Sequence, residues 1–151
     1  MIAPEEVGSE ANPIHVQLAV ETTELPSVAQ FEQWARLALR QQQARGAVTL
    51  RIIDTLEASE LNQQWRGGAG PTNVLSFPFG DETASSQLLG DIAICAPLVL
   101  AEAARDSKSI EAHWAHLVIH GVLHLLGFDH DEEPAAAKME SLERTLLAEL
   151  G

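Results

Sequence analysis

The residues best suited to chemistry lie between positions 113 and 131, where the sequence is HWAHLVIHGVLHLLGFDHD. Five of the six histidines in the chain fall in this segment: His113, His116, His120, His124 and His130. His120 and His124 are four residues apart, and such residues on a helix share one face, about 6 Å apart along the axis. Two imidazoles arranged in this way can bind one metal ion at about 2.0–2.1 Å. The spacing therefore predicts a metal site.

A third ligand for this site must come from beyond a straight helix. His116 would lie about 12 Å from His124 along the helix axis, which is too far for three bonds to one ion. Gly127 permits the chain to turn back, so we predict His130 as the third ligand, with Asp129 as a competing carboxylate. Three histidines leave one position for water, as in catalytic zinc sites.

The other histidines of the segment have a more ordinary interpretation. A histidine on an apolar helix is usually a packed core residue or a surface residue, and we expect this of His113 and His116. An alternative role for His116, and for Asp91, is to hydrogen-bond the ligand imidazoles and so fix their orientation.

The histidine spacing, with its glycine, is also that of the metzincin proteases, H-E-x-x-H-x-x-G-x-x-H. Those enzymes carry a glutamate directly after the first histidine as the general base. The corresponding residue here is Gly121, which has no side chain that could take a proton. The sequence therefore keeps a zincin-like metal cradle but lacks the protease base.

Arg66 is the second feature that could take part in chemistry. It lies at the end of a predicted helix, directly before the glycine-rich loop GGAGP at 67–71. A guanidinium there could bind a phosphate with two hydrogen bonds and stabilise the charge that develops during phosphodiester cleavage. A lone arginine at a helix end is also commonly a solvated cation that interacts with the helix dipole, and spacing alone favours this simpler interpretation.

Length and composition indicate one globular domain. The chain has 151 residues, of which 46% are hydrophobic and 21% charged, and its apolar runs are far shorter than the roughly 20 residues of a membrane span. The first residues have neither the basic start nor the apolar run of a secretory signal. The single cysteine cannot form an internal disulfide, which suits a reducing compartment. We therefore expect a cytoplasmic protein with no membrane partner.

The formal net charge of −13 argues against a nucleic-acid partner when it is taken alone, because proteins that bind phosphates usually carry an excess of basic residues. The distribution of charge weakens this argument. Seven of the nine basic residues lie between positions 36 and 108, whereas much of the acid lies in the terminal segments. A folded face of this protein can therefore be much less acidic than the total charge suggests.

Hydrophobic periodicity predicts strands at 14–20, 47–54, 72–79 and 88–95, and helices at 28–42, 55–67, 96–107, 110–126 and 133–150. Ser27 is expected to cap the first helix, and Leu56, Leu61 and Trp65 are expected to form the buried face of the second. A proline within 72–79 donates no ladder hydrogen bond, so this strand is predicted at a sheet edge.

The order of these elements indicates a single small α/β or α+β domain. We predict a mixed sheet of about four strands, one of them an antiparallel edge strand, flanked by about five helices. The domain is expected to cover residues 14–151, after a flexible N-terminal tail at 1–13 that is polar and rich in proline and glycine.

Several of these segments resemble the YbeY-type endoribonucleases, a bacterial family of metal-dependent proteins in ribosomal RNA maturation. The resemblance covers residues 14–150 and rests on the acidic last helix, the order of the elements and three segments: PTNVLSFPF (71–79), LLGDIAIC (88–95) and EAHWAHLVIHGVLHLLGFDH (111–130). It implies a small α/β domain, one zinc ion per chain on His120, His124 and His130, and a functionally important Arg66.

The same resemblance implies single-strand-specific cleavage of RNA, a role in maturing the 3′ end of small-subunit (16S) ribosomal RNA, and a part in late ribosome quality control. Small-subunit ribosomal proteins and an assembly GTPase are the implied protein partners, and no DNA binding is expected. Members of the family often carry lysines in the loop after this arginine. This chain has GGAGP there, so Arg66 would have to contact RNA with less help.

Two other functions remain open from the sequence. A metallopeptidase-like hydrolase would use the same metal cradle, with the strand at 72–79 pairing with an extended peptide, although Gly121 replaces the required base. A non-catalytic ribosome assembly factor would use zinc as a structural element, although three histidines leave an open position on the ion. Endoribonuclease cleavage is the function that the sequence favours.

Overall fold

The computed structural model describes residues 13–22, 24–79, 88–128 and 135–150. The strands in these ranges are β1 Ile14–Ala19, β2 Ala47–Ile53, β3 Val74–Pro78 and β4 Leu88–Cys95. The helices are α1 Val28–Gln41, α2 Thr55–Arg66, α3 Ala96–Arg105, α4 Ile110–Leu125 and α5 Ala135–Leu150. The predicted order of elements and the α+β fold class are confirmed. Almost all of the predicted N-terminal tail, at 1–13, lies outside the described residues.

The strands form one mixed sheet in the order β1-β2-β4-β3. β1, β2 and β4 are parallel neighbours, whereas β3 pairs with β4 in antiparallel orientation. The β3 pairing runs from Val74 opposite Ile94 to Pro78 opposite Gly90. Pro78 is the last residue of β3, and an edge strand tolerates its missing N–H. The prediction of an antiparallel edge strand is therefore confirmed.

Capping residues define where the helices begin. The side chain of Ser27 accepts a hydrogen bond from the backbone N–H of Gln30 at 3.1 Å, and the Gln30 side chain accepts from the Ser27 N–H at 2.9 Å. This capping box satisfies two amides that would otherwise lack partners. Asp54 and Ser109 cap α2 and α4 through their side-chain oxygens. After α4, Gly127 adopts a φ of +98°, a left-handed conformation that is common just after the end of a helix.

α4 is the central helix because its apolar residues pack against both the sheet and the outer helices. Trp114 of α4 contacts Phe31 of α1 edge-on, with ring centroids 5.3 Å apart. Val118 and Ile119 share the same buried core with Ile92 of β4. Each such side chain contributes about 1.5–3 kcal/mol when buried, so α4 is held firmly. Neither α4 nor another helix of the described ranges is long and apolar enough to cross a membrane.

Gly121 allows α4 to approach the sheet closely. A Cβ atom at this position would lie 2.8 Å from Cγ2 of Ile92 and 3.4 Å from Oγ of Ser76. The Ser76 hydroxyl also donates a hydrogen bond to the Gly121 carbonyl at 3.0 Å. Gly121 therefore faces β3 and β4, and a side chain at this position would push the helix away from the sheet.

The predicted buried face of α2 is wrong at two of its three residues. Leu56 and Trp65 are 68% and 61% exposed, Leu61 is half-buried, and the buried residue of the helix is Ala58. α2 packs through Ala58 and Leu61 on a small apolar cluster of the sheet, and Leu56 lies off that stripe. Trp65 lies at the end of the helix beside Phe77 of the edge strand. The sheet ends there, so one side of the indole stays in solvent.

Replacing Gly121 with glutamate tests the close approach of α4 to the sheet. The new Cβ meets Ile92, and the carboxylate has no partner in this apolar contact, so Gly121→Glu should lower the free energy of unfolding by more than about 3 kcal/mol. Urea unfolding followed by circular dichroism measures this loss. Ile110→Glu adds the same charge in the exposed first turn of α4 and should change stability by less than about 0.5 kcal/mol. Equal stability of the two variants would contradict the packing described here.

Candidate metal centre

His120 and His124 lie one turn apart on α4, and their ring centroids are 5.2 Å apart. Both side chains line a small cleft of about 160 Å³ beside edge strand β3. The helix that carries them is fixed by its buried contacts with the sheet, so their relative position is set before a ligand arrives. Two imidazoles at this spacing can bind one ion.

A buried carboxylate from the last helix contacts the first of these histidines. Glu143 of α5 lies 2.6 Å from Nδ1 of His120 and 2.8 Å from Nε2 of His116. Burial alone would raise the pKa of the Glu143 carboxyl, but the hydrogen bonds from the two histidines outweigh burial and lower the pKa to about 2. Glu143 is therefore ionised at neutral pH and can only accept hydrogen bonds, so each imidazole donates an N–H to it.

These hydrogen bonds determine which nitrogen of His120 can bind a metal. Nδ1 carries the proton that Glu143 accepts, so the lone pair of the neutral ring is on Nε2. Histidine ligands of metals commonly donate their second ring nitrogen to a carboxylate, which fixes the tautomer and the ring orientation. The donor set of His120 and His124, with Glu143 behind the first ring, therefore fits a metal ion.

His116, His120 and Glu143 also form a compact group of potential ligands. One ligand atom from each of the three lies within 4.8 Å of the others, which makes this His/His/Glu group a candidate metal site in the described part of the chain. Two ligands of a tetrahedral zinc ion lie about 3.3 Å apart, whereas Glu143 is 2.6 and 2.8 Å from the two ring nitrogens. Distances this short are hydrogen bonds, so the geometry favours Glu143 as a support for His120 over a direct ligand.

Arg66 lines the same cleft as the two histidines. It is the last residue of α2, and Gly67 ends the helix in the left-handed conformation with a φ of +67°. The chain then turns toward β3, which brings four further residues to the cleft: Thr72, Asn73, Val74 and Ser76. The structure thus brings one cation, two imidazoles and several neutral polar groups together. Such a cleft can hold a metal ion next to an anionic ligand.

The remaining predicted site residues have different positions. His116 hydrogen-bonds the carboxylate of Glu143 that also supports His120, and its ring lies edge-on to the His120 ring with centroids 6.2 Å apart. Asp91 lies on the sheet face opposite α4, because its neighbour Ile92 packs against α4 and successive side chains alternate between faces. It lines a groove on that face, on the other side of the sheet from the histidine helix. His130, the predicted third ligand, and its competitor Asp129 lie outside the described residues.

Sequence reasoning missed Glu143, although the sequence contains a signal for it. Met139 and Leu146 are the buried apolar residues of α5, and position 143 falls on the same helical stripe at spacings of four and three. An acidic residue on a buried stripe needs a partner, and the histidines of α4 are the available donors. The charge at position 143 therefore indicates a specific contact, whereas the other acidic residues of α5 are compatible with solvent.

Sequence reasoning also missed Asn73, which lines the cleft. Its amide Nδ2 donates to the carboxylate of Glu102 at 3.1 Å, and the same carboxylate lies 2.8 Å from Nε2 of His113. His113 is buried, as expected for a packed residue. This chain of contacts fixes the loop before β3 to α3 and α4, so the part of the cleft wall that Asn73 forms is held in place.

The fold and the cleft define the class of this protein: a small α+β domain with a candidate histidine metal site on its central helix, next to an arginine. The model of the family described as Endoribonuclease YbeY matches residues 16–151. The chain belongs to this family, which confirms the resemblance seen in the sequence.

Individual relatives agree with the family assignment. An Endoribonuclease YbeY of Pseudomonas fluorescens is 56% identical over 128 residues, which cover 83% of this chain and 84% of the relative. One from Nitrosococcus oceani is 49% identical over 141 residues, covering 91% and 92%. The solution structure of TM1509 from Thermotoga maritima is similar with a TM-score of 0.62 at 27% identity, over 90% of this chain and 87% of that chain.

Glu143→Gln tests the support that the carboxylate gives to His120. The amide keeps the shape but loses the charge that holds the Nδ1 proton, so the affinity for zinc should fall about 10- to 100-fold. Competition with a chromophoric chelator measures this affinity. Glu140→Gln changes an exposed residue one turn away and should bind zinc like the unaltered protein. Unchanged affinity in Glu143→Gln would contradict the role assigned to this residue.

Proposed function

We propose that this protein is a zinc-dependent endoribonuclease that cleaves single-stranded RNA and matures the 3′ end of small-subunit (16S) ribosomal RNA. The observation that carries the proposal is the single cleft that His120, His124 and Arg66 line together. Membership of a family described as Endoribonuclease YbeY supports RNA as the substrate. The alternatives of a metallopeptidase and a non-catalytic assembly factor are less favoured.

The metal ion is assigned to Nε2 of His120, to His124 and to His130 as the third ligand. Nitrogen ligands of this kind suit zinc. When bound, such an ion supplies Lewis-acid polarisation of a phosphoryl oxygen and a source of hydroxide at neutral pH. Glu143 keeps His120 in the tautomer that can act as a ligand, and His116 shares the same carboxylate. Glu143 accepts the protons on Nδ1 of His120 and Nε2 of His116, away from the reacting atoms. Neither Glu143 nor His116 is assigned a contact with the substrate.

Arg66 is assigned to the scissile phosphate. Its guanidinium is always charged and can donate two hydrogen bonds to phosphate oxygens, which stabilises the negative charge that increases during cleavage. The Ser76 hydroxyl is committed to the Gly121 carbonyl, and the Asn73 amide N–H to Glu102. The polar wall of the cleft is thus held in place and adds no negative charge, although the whole chain carries −13.

The position of Gly121 counts against a metallopeptidase. In the metzincin pattern the residue after the first histidine is the general base. Here this position faces Ile92 and Ser76 at contact distance, and the sheet excludes any side chain that could take a proton. The edge strand β3 remains suited to pairing with an extended chain, but no carboxylate is among the described residues that line the cleft beside it.

We assign residues 14–151 to one catalytic domain that acts in the cytoplasm. Small-subunit ribosomal proteins and an assembly GTPase are the proposed protein partners, and the proposal includes no DNA substrate. Single-stranded rRNA fits the narrow cleft better than a duplex, because an unpaired strand can bring one phosphate between Arg66 and the histidines.

Arg66→Glu tests the assignment of the arginine. The reversed charge repels the phosphate, so cleavage of a single-stranded RNA should fall at least about 100-fold, while zinc content and unfolding free energy stay unchanged because Arg66 is exposed. Arg45→Glu makes the same charge change at another exposed position and should retain activity. Gel analysis of a labelled oligonucleotide measures cleavage.

The preparation needs its own control, because trace nucleases also cleave RNA. His124→Ala, purified in parallel, should lose zinc and cleavage together. Full cleavage by Arg66→Glu would refute the role of the arginine. Equal cleavage by His124→Ala and the unaltered protein would refute the assignment of the metal site and of the nuclease activity.

A further inference from the structure

An exposed tryptophan lies directly beside the proposed phosphate ligand. Trp65 precedes Arg66 on α2 and is 61% exposed, whereas the other two tryptophans, Trp34 and Trp114, are 3% and 0% exposed. Large aromatic side chains are usually buried over much of their area, so an indole in solvent next to a polar site indicates a binding surface.

Trp65 is also held in a fixed position. Its ring packs edge-on against Phe77 of β3, with centroids 6.0 Å apart and an interplanar angle of 69°. Phe77 belongs to the apolar contacts of the cluster under α2. The indole is therefore supported on one side and open on another, which suits stacking by a flat ligand at low entropic cost.

Trp65 lines a groove of about 770 Å³ on the sheet face opposite α4. Arg66 and Ser76 line both this groove and the cleft with the histidines. The two spaces therefore meet around the edge strand, and a chain that leaves the cleft past Arg66 enters the groove at Trp65.

The charges of the groove narrow the choice of ligand. Arg51 is bound to Glu57 through two contacts of 2.6 and 3.2 Å, and Asp91 adds a negative charge. Among the groove residues, the positive charges of Arg51 and Arg66 balance the negative charges of Glu57 and Asp91. The groove therefore does not attract a phosphate backbone beyond Arg66. An aromatic surface with one adjacent cation is suited to a single nucleotide, whose base stacks while its phosphate meets the guanidinium.

We propose that Trp65 is a stacking platform for the unpaired base next to the scissile phosphate, and that it selects single-stranded RNA. This inference rests on the proposed function and adds a subsite to it. A paired base in a duplex has both faces covered by its neighbours and cannot stack on the indole, so the platform discriminates against duplexes without reading the sequence.

The fluorescence of the unaltered protein tests this subsite directly, because only Trp65 among the three tryptophans is exposed. The probe is a single-stranded 2′-O-methyl hexaadenylate, which cannot be cleaved through its 2′ position. It should quench the emission, and the same strand paired with its complement should quench it much less. Because Arg66 is the one basic side chain assigned to a phosphate, log Kd should change with log salt concentration by a slope of about 0.7.

Matched variants separate stacking from general effects. Trp65→Ala should weaken binding about 5- to 150-fold, the range that corresponds to the stacking energy of one base, and should raise KM for cleavage. Trp65→Phe keeps a ring and should recover most of the affinity. Leu56→Ala truncates an equally exposed side chain of α2 that lines a different surface and should bind normally.

The platform would be overturned if the oligonucleotide did not quench the unaltered protein and Trp65→Ala bound it with normal affinity. Intact cleavage in that variant would leave the nuclease assignment in place. Quenching by an extended peptide but not by the oligonucleotide would also overturn it. Absence of RNA cleavage by the zinc-loaded unaltered protein would refute the proposed function and, with it, this subsite.

Discussion

The carboxylate of Glu143 is the group on which both the packing and the proposed chemistry depend. It is 7% exposed, and a buried carboxylate without partners would be strongly destabilising. Its two oxygens accept hydrogen bonds from His116 and His120, so the last helix is bound to the central helix by a charge that is fully satisfied. The same contact holds the Nδ1 proton of His120, so the lone pair of the ring is on Nε2, the nitrogen proposed to bind the metal. Docking of α5 and orientation of this candidate ligand therefore depend on one contact.

The position of the cleft follows from the sheet. α4 covers the sheet and approaches it closely at Gly121, so the histidine face emerges only where the sheet ends, beside β3. The edge strand is short, and Arg66, the last residue of α2, lines the cleft beside it. The cation thus reaches the histidine side of the sheet although its helix packs on the other face.

Local patterns predicted the fold well. The helix that places His120 one turn from His124, the capping Ser27 and the edge strand with its proline were predicted from patterns within a few residues, and each is confirmed. Glu143 was missed because its role depends on a contact with α4 more than twenty residues earlier in the sequence. Asp91 illustrates the same limit, since periodicity identified its strand but not which face of the sheet the histidine helix would cover.

Trp65 was predicted to be buried but is exposed, and this error also comes from tertiary structure that a local pattern does not contain. Helical spacing places Trp65 on the stripe of Ala58 and Leu61, and the pattern predicted burial for both Leu61 and Trp65. Whether a stripe is covered along its full length depends on how far the sheet extends beneath it, which only the tertiary structure determines. The residue left uncovered by the end of the sheet is the one next to Arg66.

A crystal structure of the zinc-loaded protein, with the ion located by its anomalous signal, tests the central claim most directly. The account predicts an ion bound by Nε2 of His120 and by His124 in the cleft beside Arg66, with Glu143 still hydrogen-bonded to Nδ1 of His120 and outside the coordination sphere. An ion bound by an oxygen of Glu143 together with His116, at about 2.0–2.2 Å, would contradict it.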